Sequence, residues 1–149
     1  MLPAETAIMT RRALTLIAAS LLCLGASAGL QAVAEEPSAY VVEVSDVTAK
    51  VGEPAVMRAI LKTRDGYRIL KHYNNRVIEL SSFDDGVAFE SRVVPATLDE
   101  DALVFEVPLR ATKAGQHPIN GVFRVGYIHG TDEMAMVSMR LIANVTGTE

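Results

Sequence analysis

Three residues late in the chain carry side chains that could hold a soft metal ion: His129, Met134 and Met136. Thioether sulfur suits Cu(I), and imidazole is a general ligand of transition metals. If residues 134–145 form a strand, alternation places the two methionines on one face, where His129 could join them. A copper site is therefore the alternative to a simpler interpretation, in which the methionines are adaptable apolar filler at the start of a strand.

Other patterns that support catalysis or cofactor binding do not occur in the sequence. The one cysteine is Cys23, no Gly-x-Ser-x-Gly motif is present, and the glycines stand singly instead of forming a phosphate-binding loop. His72, His117 and His129 lack the close spacing that presents two imidazoles to one zinc ion. We therefore predict no enzymatic activity, no catalytic residue, no bound cofactor and no metal.

Two clusters of carboxylates could be considered as calcium ligands. They are Asp84-Asp85 and residues 99–101, which read Asp-Glu-Asp. Hard cations favour grouped oxygen ligands. Such clusters also occur at turns that face solvent, and we expect that structural role here.

The N-terminal residues have the pattern of an export signal. Arg11 and Arg12 precede an apolar run over residues 13–24, and small residues follow as far as Ala34. We expect residues 1–34 to be a signal peptide cleaved after Ala34, with Ala28 as an alternative site and Met9 as an alternative start. The apolar run is about a dozen residues long, whereas a bilayer-spanning helix requires about 20. The expected product is one periplasmic domain, residues 35–149, with no membrane span.

The composition of that domain limits its partners. Residues 35–149 carry 12 basic and 17 acidic side chains, a net charge of about −5, and contain no cysteine. A moderately acidic domain is a poor ligand for nucleic acid or anionic lipid. We expect neither as a partner, and we expect no disulfide.

The elements that would position these residues are predicted to be strands. β-Branched and alternating segments, separated by turns rich in Gly, Pro, Asn and Asp, occur at residues 41–44, 55–61, 76–80, 87–94, 102–110, 116–127 and 134–145. Alternation is clearest in residues 102–110, where Leu103, Phe105, Val107 and Leu109 share a face. About seven antiparallel strands and no long helical period predict an immunoglobulin-like β-sandwich.

Four segments carry a resemblance to a known family: Gly66-Tyr67-Arg68-Ile69, residues 87–89, residues 105–109 and residues 112–123. They resemble the N-terminal periplasmic domain of the thiol:disulfide interchange protein DsbD and its stand-alone relatives, and the similarity covers nearly all of residues 35–149. The resemblance implies an immunoglobulin-like fold. It also implies a cysteine pair around the hairpin of the last two strands, but residues 125–134 contain no cysteine. Thiol–disulfide exchange requires an attacking thiolate, so the resemblance supports the fold and carries over no activity.

The same hairpin is our candidate for a contact surface. It presents Tyr127, Ile128, Met134 and Met136, which are apolar side chains of types found at protein interfaces. We therefore predict a non-enzymatic accessory domain that binds another envelope protein through these four residues. The sequence leaves the oligomeric state open, and it leaves open that these side chains merely close one end of the core.

Overall fold

The computed structural model describes residues 38–149, which form two β-sheets packed face to face. The predicted signal peptide, residues 1–34, lies outside the described residues. Within residues 38–149 there is no helix of the length and apolarity needed to cross a bilayer.

The chain forms eleven strands in the described part. They are β1 (Tyr40–Val44), β2 (Val47–Lys50), β3 (Pro54–Thr63), β4 (Tyr67–Ile69), β5 (Arg76–Ser82), β6 (Val87–Phe89), β7 (Val94–Pro95), β8 (Thr97–Asp99), β9 (Ala102–Ala111), β10 (Gly115–His129) and β11 (Glu133–Thr148). The first sheet has the order β1-β3-β9-β6, with β8 beside β9. The second has the order β2-β11-β10-β5-β7, with β4 beside β10.

This strand order is that of an immunoglobulin-like sandwich. Strands β1, β3, β9 and β6 occupy the places of the A, B, E and D strands, and β11, β10 and β5 those of G, F and C. The predicted fold class is confirmed. The prediction of uniformly antiparallel strands was wrong at one place, because β2 pairs with β11 in parallel, from Val47 opposite Val145 to Lys50 opposite Thr148.

The predicted strand over residues 87–94 is two strands in different sheets. Strand β6 pairs with β9, whereas β7 pairs with β5. Between them the Ser91 hydroxyl accepts from the Val93 N–H at 3.1 Å and donates to the Val93 carbonyl at 2.7 Å. A serine that satisfies nearby backbone groups in this way competes with the ladder and lets the chain cross between sheets.

The core lies between the sheets, as alternation predicts. In β9 the exposed fraction of Leu103, Phe105, Val107 and Leu109 is 2% or less. The Phe105 ring meets the Phe123 ring of β10 in the opposite sheet at 5.1 Å between centroids. Burial of these large apolar side chains is the main favourable contribution to folding, and it fixes which faces of β10 and β11 point outward.

One buried polar contact joins the two sheets. The Tyr40 hydroxyl, on β1, donates to the Gly126 carbonyl on β10 at 2.5 Å. Tyr40 is only 2% exposed, and burial raises the pKa of its phenol to about 12. The bond therefore holds β1 against β10 one residue before Tyr127.

Candidate functional site

The candidate contact surface lies at the end of the longest hairpin in the described chain. Strands β10 and β11 pair without interruption from Gly115 opposite Gly147 to His129 opposite Glu133. Gly130, in the turn, has a φ of 59°, a left-handed conformation that glycine adopts without strain. We call residues 127–136, with their turn, the hairpin tip.

Strand β4 supports the hairpin tip on one side. Tyr67, Arg68 and Ile69 pair with His129, Ile128 and Tyr127 respectively. Gly66, with a φ of 84°, forms a turn, and Tyr67 begins the short strand that follows it. Without this third strand the tip would be a bare two-stranded ribbon, which is marginally stable in water.

Three rings stack along the inner face of the hairpin tip. The Tyr67 ring meets the Tyr127 ring edge-on, with centroids 5.3 Å apart and planes at 79°. On its other side it stacks on the His129 imidazole at 4.7 Å and 25°. Tyr127 is half-buried and packs against the core. The predicted contact residue Tyr127 therefore supports the tip from within.

The turn itself is held by an arginine. The Arg68 guanidinium donates from Nη2 to the carbonyl of Gly130 at 3.2 Å and to that of Thr131 at 3.3 Å. The Gly130 N–H also donates to the Gly66 carbonyl at 3.4 Å. These bonds fix the turn relative to β4, so the side chains on the tip are presented from an ordered backbone.

The outer face of the hairpin tip carries the other three predicted residues. Ile128 lies opposite Met134 in the ladder, and Met136 lies two residues along the same face of β11. Met134 is 66% exposed and Met136 68% exposed, whereas Ile128 is half-buried. The structure therefore brings Ile128, Met134 and Met136 together on one outward apolar face.

The geometry does not gather the copper candidates. In the ladder His129 lies opposite Glu133, and its ring lies on the inner face with Tyr67, whereas Met134 and Met136 belong to the outer face. The His129 Nδ1 atom lies 3.4 Å from the Glu133 carboxylate, which occupies one of its two nitrogens. Within residues 38–149, no group of three His, Cys, Asp or Glu side chains is placed to hold a metal ion.

A groove of about 1170 Å³ adjoins the hairpin tip. Ile128 and Tyr67 line it, with cationic side chains from β3 and from residues 64–71, and with the Asp99-Glu100-Asp101 turn. The second carboxylate cluster considered from the sequence thus lies at the rim of this groove. No local sequence pattern indicates this groove, because it forms between segments far apart in the chain.

The first carboxylate cluster lies away from the hairpin tip and has a structural partner. The Asp84 carboxylate bonds His117 Nδ1 at 2.7 Å, and His117 Nε2 lies 2.9 Å from the Lys113 carbonyl. Both partner atoms are acceptors, so the protonated ring, with hydrogen on both nitrogens, satisfies both contacts. The bond to Asp84 raises the pKa of His117, and the bond from His117 lowers the pKa of Asp84 to about 2. Asp84 is therefore not a free calcium ligand.

The fold and the hairpin tip together define an all-β sandwich domain with one exposed apolar face at its end. No family model matches the chain, and no curated protein matches it. The interpretation of the site consequently depends on its own geometry.

Proposed function

We propose that this domain is a non-enzymatic binding module of the bacterial periplasm that contacts another envelope protein through the outer face of the hairpin tip. The observation that carries the proposal is the exposure of two neighbouring methionines, 66% for Met134 and 68% for Met136, on one face of a well-supported strand pair. Exposed apolar side chains grouped in this way mark contact surfaces. Methionine is also enriched at interfaces and adapts its shape to a partner.

The support beneath this face favours binding over a role in closing the core. The inner side of the tip is already closed by the rings of Tyr67, Tyr127 and His129. Met134 and Met136 lie on the opposite side and add little to core packing. An ordered backbone with exposed side chains binds at a low entropic cost, because little of the surface must be ordered on association.

The proposed relationship to the DsbD N-terminal domain agrees with a binding role that lacks redox chemistry. Residues 35–149 contain no cysteine, so the domain cannot form a mixed disulfide with a substrate. The proposed contact surface is the hairpin at which redox-active members of that family carry their cysteine pair. Export by the N-terminal signal would place the domain in the periplasm with its partner.

The test is a capture experiment with the exported protein and matched variants. Met134→Ser with Met136→Ser removes the apolar surface without disturbing packing, because both side chains project into solvent. Val56→Ser is the control, since Val56 is 57% exposed on β3 of the other sheet, remote from the tip. Partners retained from an envelope extract are identified by mass spectrometry.

We expect a partner that the wild type and Val56→Ser retain and that the Met134→Ser, Met136→Ser double variant loses. The free energy of unfolding of the double variant should lie within about 0.5 kcal/mol of that of the wild type, as is usual for surface substitutions. An identical set of retained proteins for all three chains would contradict the proposal. Tyr127→Ala is unsuitable here, because the loss of its ring from the inner face would change folding and binding together.

A further inference from the structure

Among residues 38–149, no strand pairs with a long stretch of one edge of β11. In the described residues, β11 pairs with β10 along its whole length, but β2 covers its other side only from Val145 to Thr148. The main-chain groups of residues 134–142 that point away from β10 make no hydrogen bond with any described residue. This stretch, residues 134–142, is called the open edge below.

The ladder identifies which residues present those groups. The Asn144 N–H donates to the Asp46 carboxylate at 2.9 Å, and Asp46 directly precedes β2, so this N–H points away from β10. Its opposite residue is Pro118, which has no N–H to exchange. Because the β10–β11 register has no bulge, the N–H and C=O groups of every second residue of β11 also point away from β10. These residues are Met134, Met136, Ser138, Arg140 and Ile142.

The open edge lacks the usual protection of an edge strand. Proteins protect such edges with proline, bulges, several charges or a covering segment. The open edge has no proline, no bulge and a single charge, at Arg140, and among the described residues Ser38 lies beside it, with its hydroxyl 3.3 Å from the Met139 sulfur. Three of its five outward-bonding residues also carry exposed apolar side chains: Met134, Met136 and Ile142. An edge of this kind is suited to pairing with another strand.

We propose that the open edge pairs with the open edge of a second copy of this chain, antiparallel and with its two-fold axis at Ser138. Ser138 is the midpoint of residues 134–142, so this register uses all five outward-bonding residues of both copies. Each outward N–H then meets an outward C=O, as antiparallel pairing requires. The interface is isologous, the commonest form in homodimers.

The side chains fit this register. Met134 of one copy lies opposite Ile142 of the other, an apolar pair at each end. Arg140 lies opposite Met136, so no like charges face each other, and the small Ser138 meets itself on the axis. An axis at Arg140 would place two guanidinium groups face to face, which destabilises a sheet. An axis at Met136 would extend the pairing into the turn.

The pairing would be modest in extent. Nine residues at about 3.4 Å each give a paired edge of about 30 Å. This is at the small end of specific interfaces, so we expect a dimer that forms with rising concentration. This pairing differs from the binding function proposed for the hairpin tip, because its hydrogen bonds come from the main chain of the open edge, whereas Met134 and Met136 belong to both surfaces.

The experiment uses the exported protein with Cys23→Ser, so that an introduced cysteine is the only thiol whether or not the leader is removed. Ser138→Cys places one thiol of each copy at the proposed axis. Thr97→Cys is the matched control, because Thr97 is exposed on β8, an edge strand of the other sheet. Under mild oxidation we expect Ser138→Cys to form a disulfide-linked dimer at least about tenfold faster than Thr97→Cys does, because proximity makes the reaction effectively unimolecular.

A second pair of variants tests association without oxidation. Ser138→Lys would place two ammonium groups face to face at the axis, and Thr97→Lys is its control. Sedimentation should show a concentration-dependent dimer for the wild type and Thr97→Lys. For Ser138→Lys we expect the dissociation constant to rise at least about tenfold, with partial recovery at high salt.

Three results would overturn the inference. They are a wild type that stays monomeric at every concentration, cross-linking of Ser138→Cys no faster than that of Thr97→Cys, and capture of another protein by the Ser138→Cys thiol in place of a second copy. A failure of this kind would leave the tip proposal standing, because the capture experiment there scores the loss of a different envelope protein, identified by mass spectrometry, and not the loss of a second copy of this chain.

Discussion

At the residue scale, the Asp84–His117 pair makes folding dependent on pH in two directions. The bond to Asp84 raises the pKa of His117 above its usual 6.5. The contribution of His117 to the free energy of unfolding is therefore complete below about pH 6.5, and it is lost as the pH rises through the pKa of the folded state. The pKa of Asp84 is lowered to about 2 from 3.8, so its contribution is complete above about pH 4 and is lost as the pH falls toward 2. Between these limits both contributions are present.

We therefore predict that Asp84→Asn lowers the melting temperature most at about pH 4 to 6.5 and progressively less outside that window. Asparagine retains the size of the side chain and an acceptor oxygen but not the charge. Melting temperatures of the wild type and the variant across pH 2 to 9 check the prediction. Asp85→Asn is the control, since the Asp85 carboxylate bonds no described residue. A difference in melting temperature between the wild type and Asp84→Asn that is constant with pH would contradict the prediction.

The close approach of Gly86 to the same imidazole could not be predicted from the sequence. A Cβ atom at Gly86 would lie 2.0 Å from His117 Nδ1, so only glycine leaves room for the ring. The sequence identified Asp84, Asp85 and Gly86 as a turn and His117 as an isolated histidine. Their contact depends on the turn after β5 meeting the first residues of β10, 33 residues further along the chain, and no local pattern predicts that contact.

At the scale of the element, β5 contains a bulge with a strained residue. The pairing of β5 with β10 shifts between Asn120 and Val122, and Glu79 has a φ of 56° in the left-handed region. A non-glycine residue there costs about 1–2 kcal/mol. Glu79 is exposed and makes no side-chain hydrogen bond with a described residue, and the next residue, Leu80, is only 1% exposed. The bulge therefore directs Leu80 into the core.

We predict that Glu79→Gly leaves stability unchanged or raises it by up to about 1 kcal/mol, since relief of strain exceeds or balances the extra entropy of glycine in the unfolded chain. Glu79→Val should lower stability by at least about 1 kcal/mol, because a β-branched residue tolerates this conformation poorly. Urea unfolding of the three chains checks the order. A stable valine variant would show that the bulge is absent in solution.

The hairpin tip gives a second prediction at this scale. Tyr67→Ala removes a ring that contacts both Tyr127 and His129, and aromatic pairs contribute about 0.5–1.5 kcal/mol beyond their burial. Relative to the wild type, we expect Tyr67→Ala to speed amide hydrogen exchange more in residues 127–131 than in β9, because β4 would support the tip less well. Arg92→Ala, at an exposed position outside the tip, is the control. Equal exchange in both variants would contradict a supporting role for Tyr67.

The long strands were predictable and the short ones were not. Residues 102–110 and 134–145 alternate over many residues, so their faces could be assigned before the structure was known. Strands β4 and β8 have three residues each, too few to show a period. The sequence placed Tyr127 at the candidate surface with Ile128, Met134 and Met136. The structure places Tyr127 on the inner face, against the Tyr67 ring of β4, a strand too short to be predicted.

At the scale of the whole molecule, the sandwich depends on contacts that join its two sheets. Most are apolar, and the Tyr40 hydroxyl bond to Gly126 is a polar one within the core. The Gly126 carbonyl also accepts from the Leu70 N–H at 3.0 Å. Tyr40→Phe therefore removes one hydrogen bond without leaving the carbonyl unpaired, and we expect it to lower the free energy of unfolding by about 1 kcal/mol.

The same substitution should change how the domain responds to alkali. Burial raises the pKa of Tyr40 to about 12 from 10, so the neutral phenol of the folded state favours folding below pH 10, and that contribution is lost as the pH rises from 10 toward 12. Tyr40→Phe should therefore be less stable than the wild type at pH 7 and lose less stability between pH 9 and 11. Tyr73→Phe is the control, because the Tyr73 hydroxyl bonds no described residue. If wild type and Tyr40→Phe lose stability in parallel above pH 9, Tyr40 does not join the sheets as a buried neutral phenol.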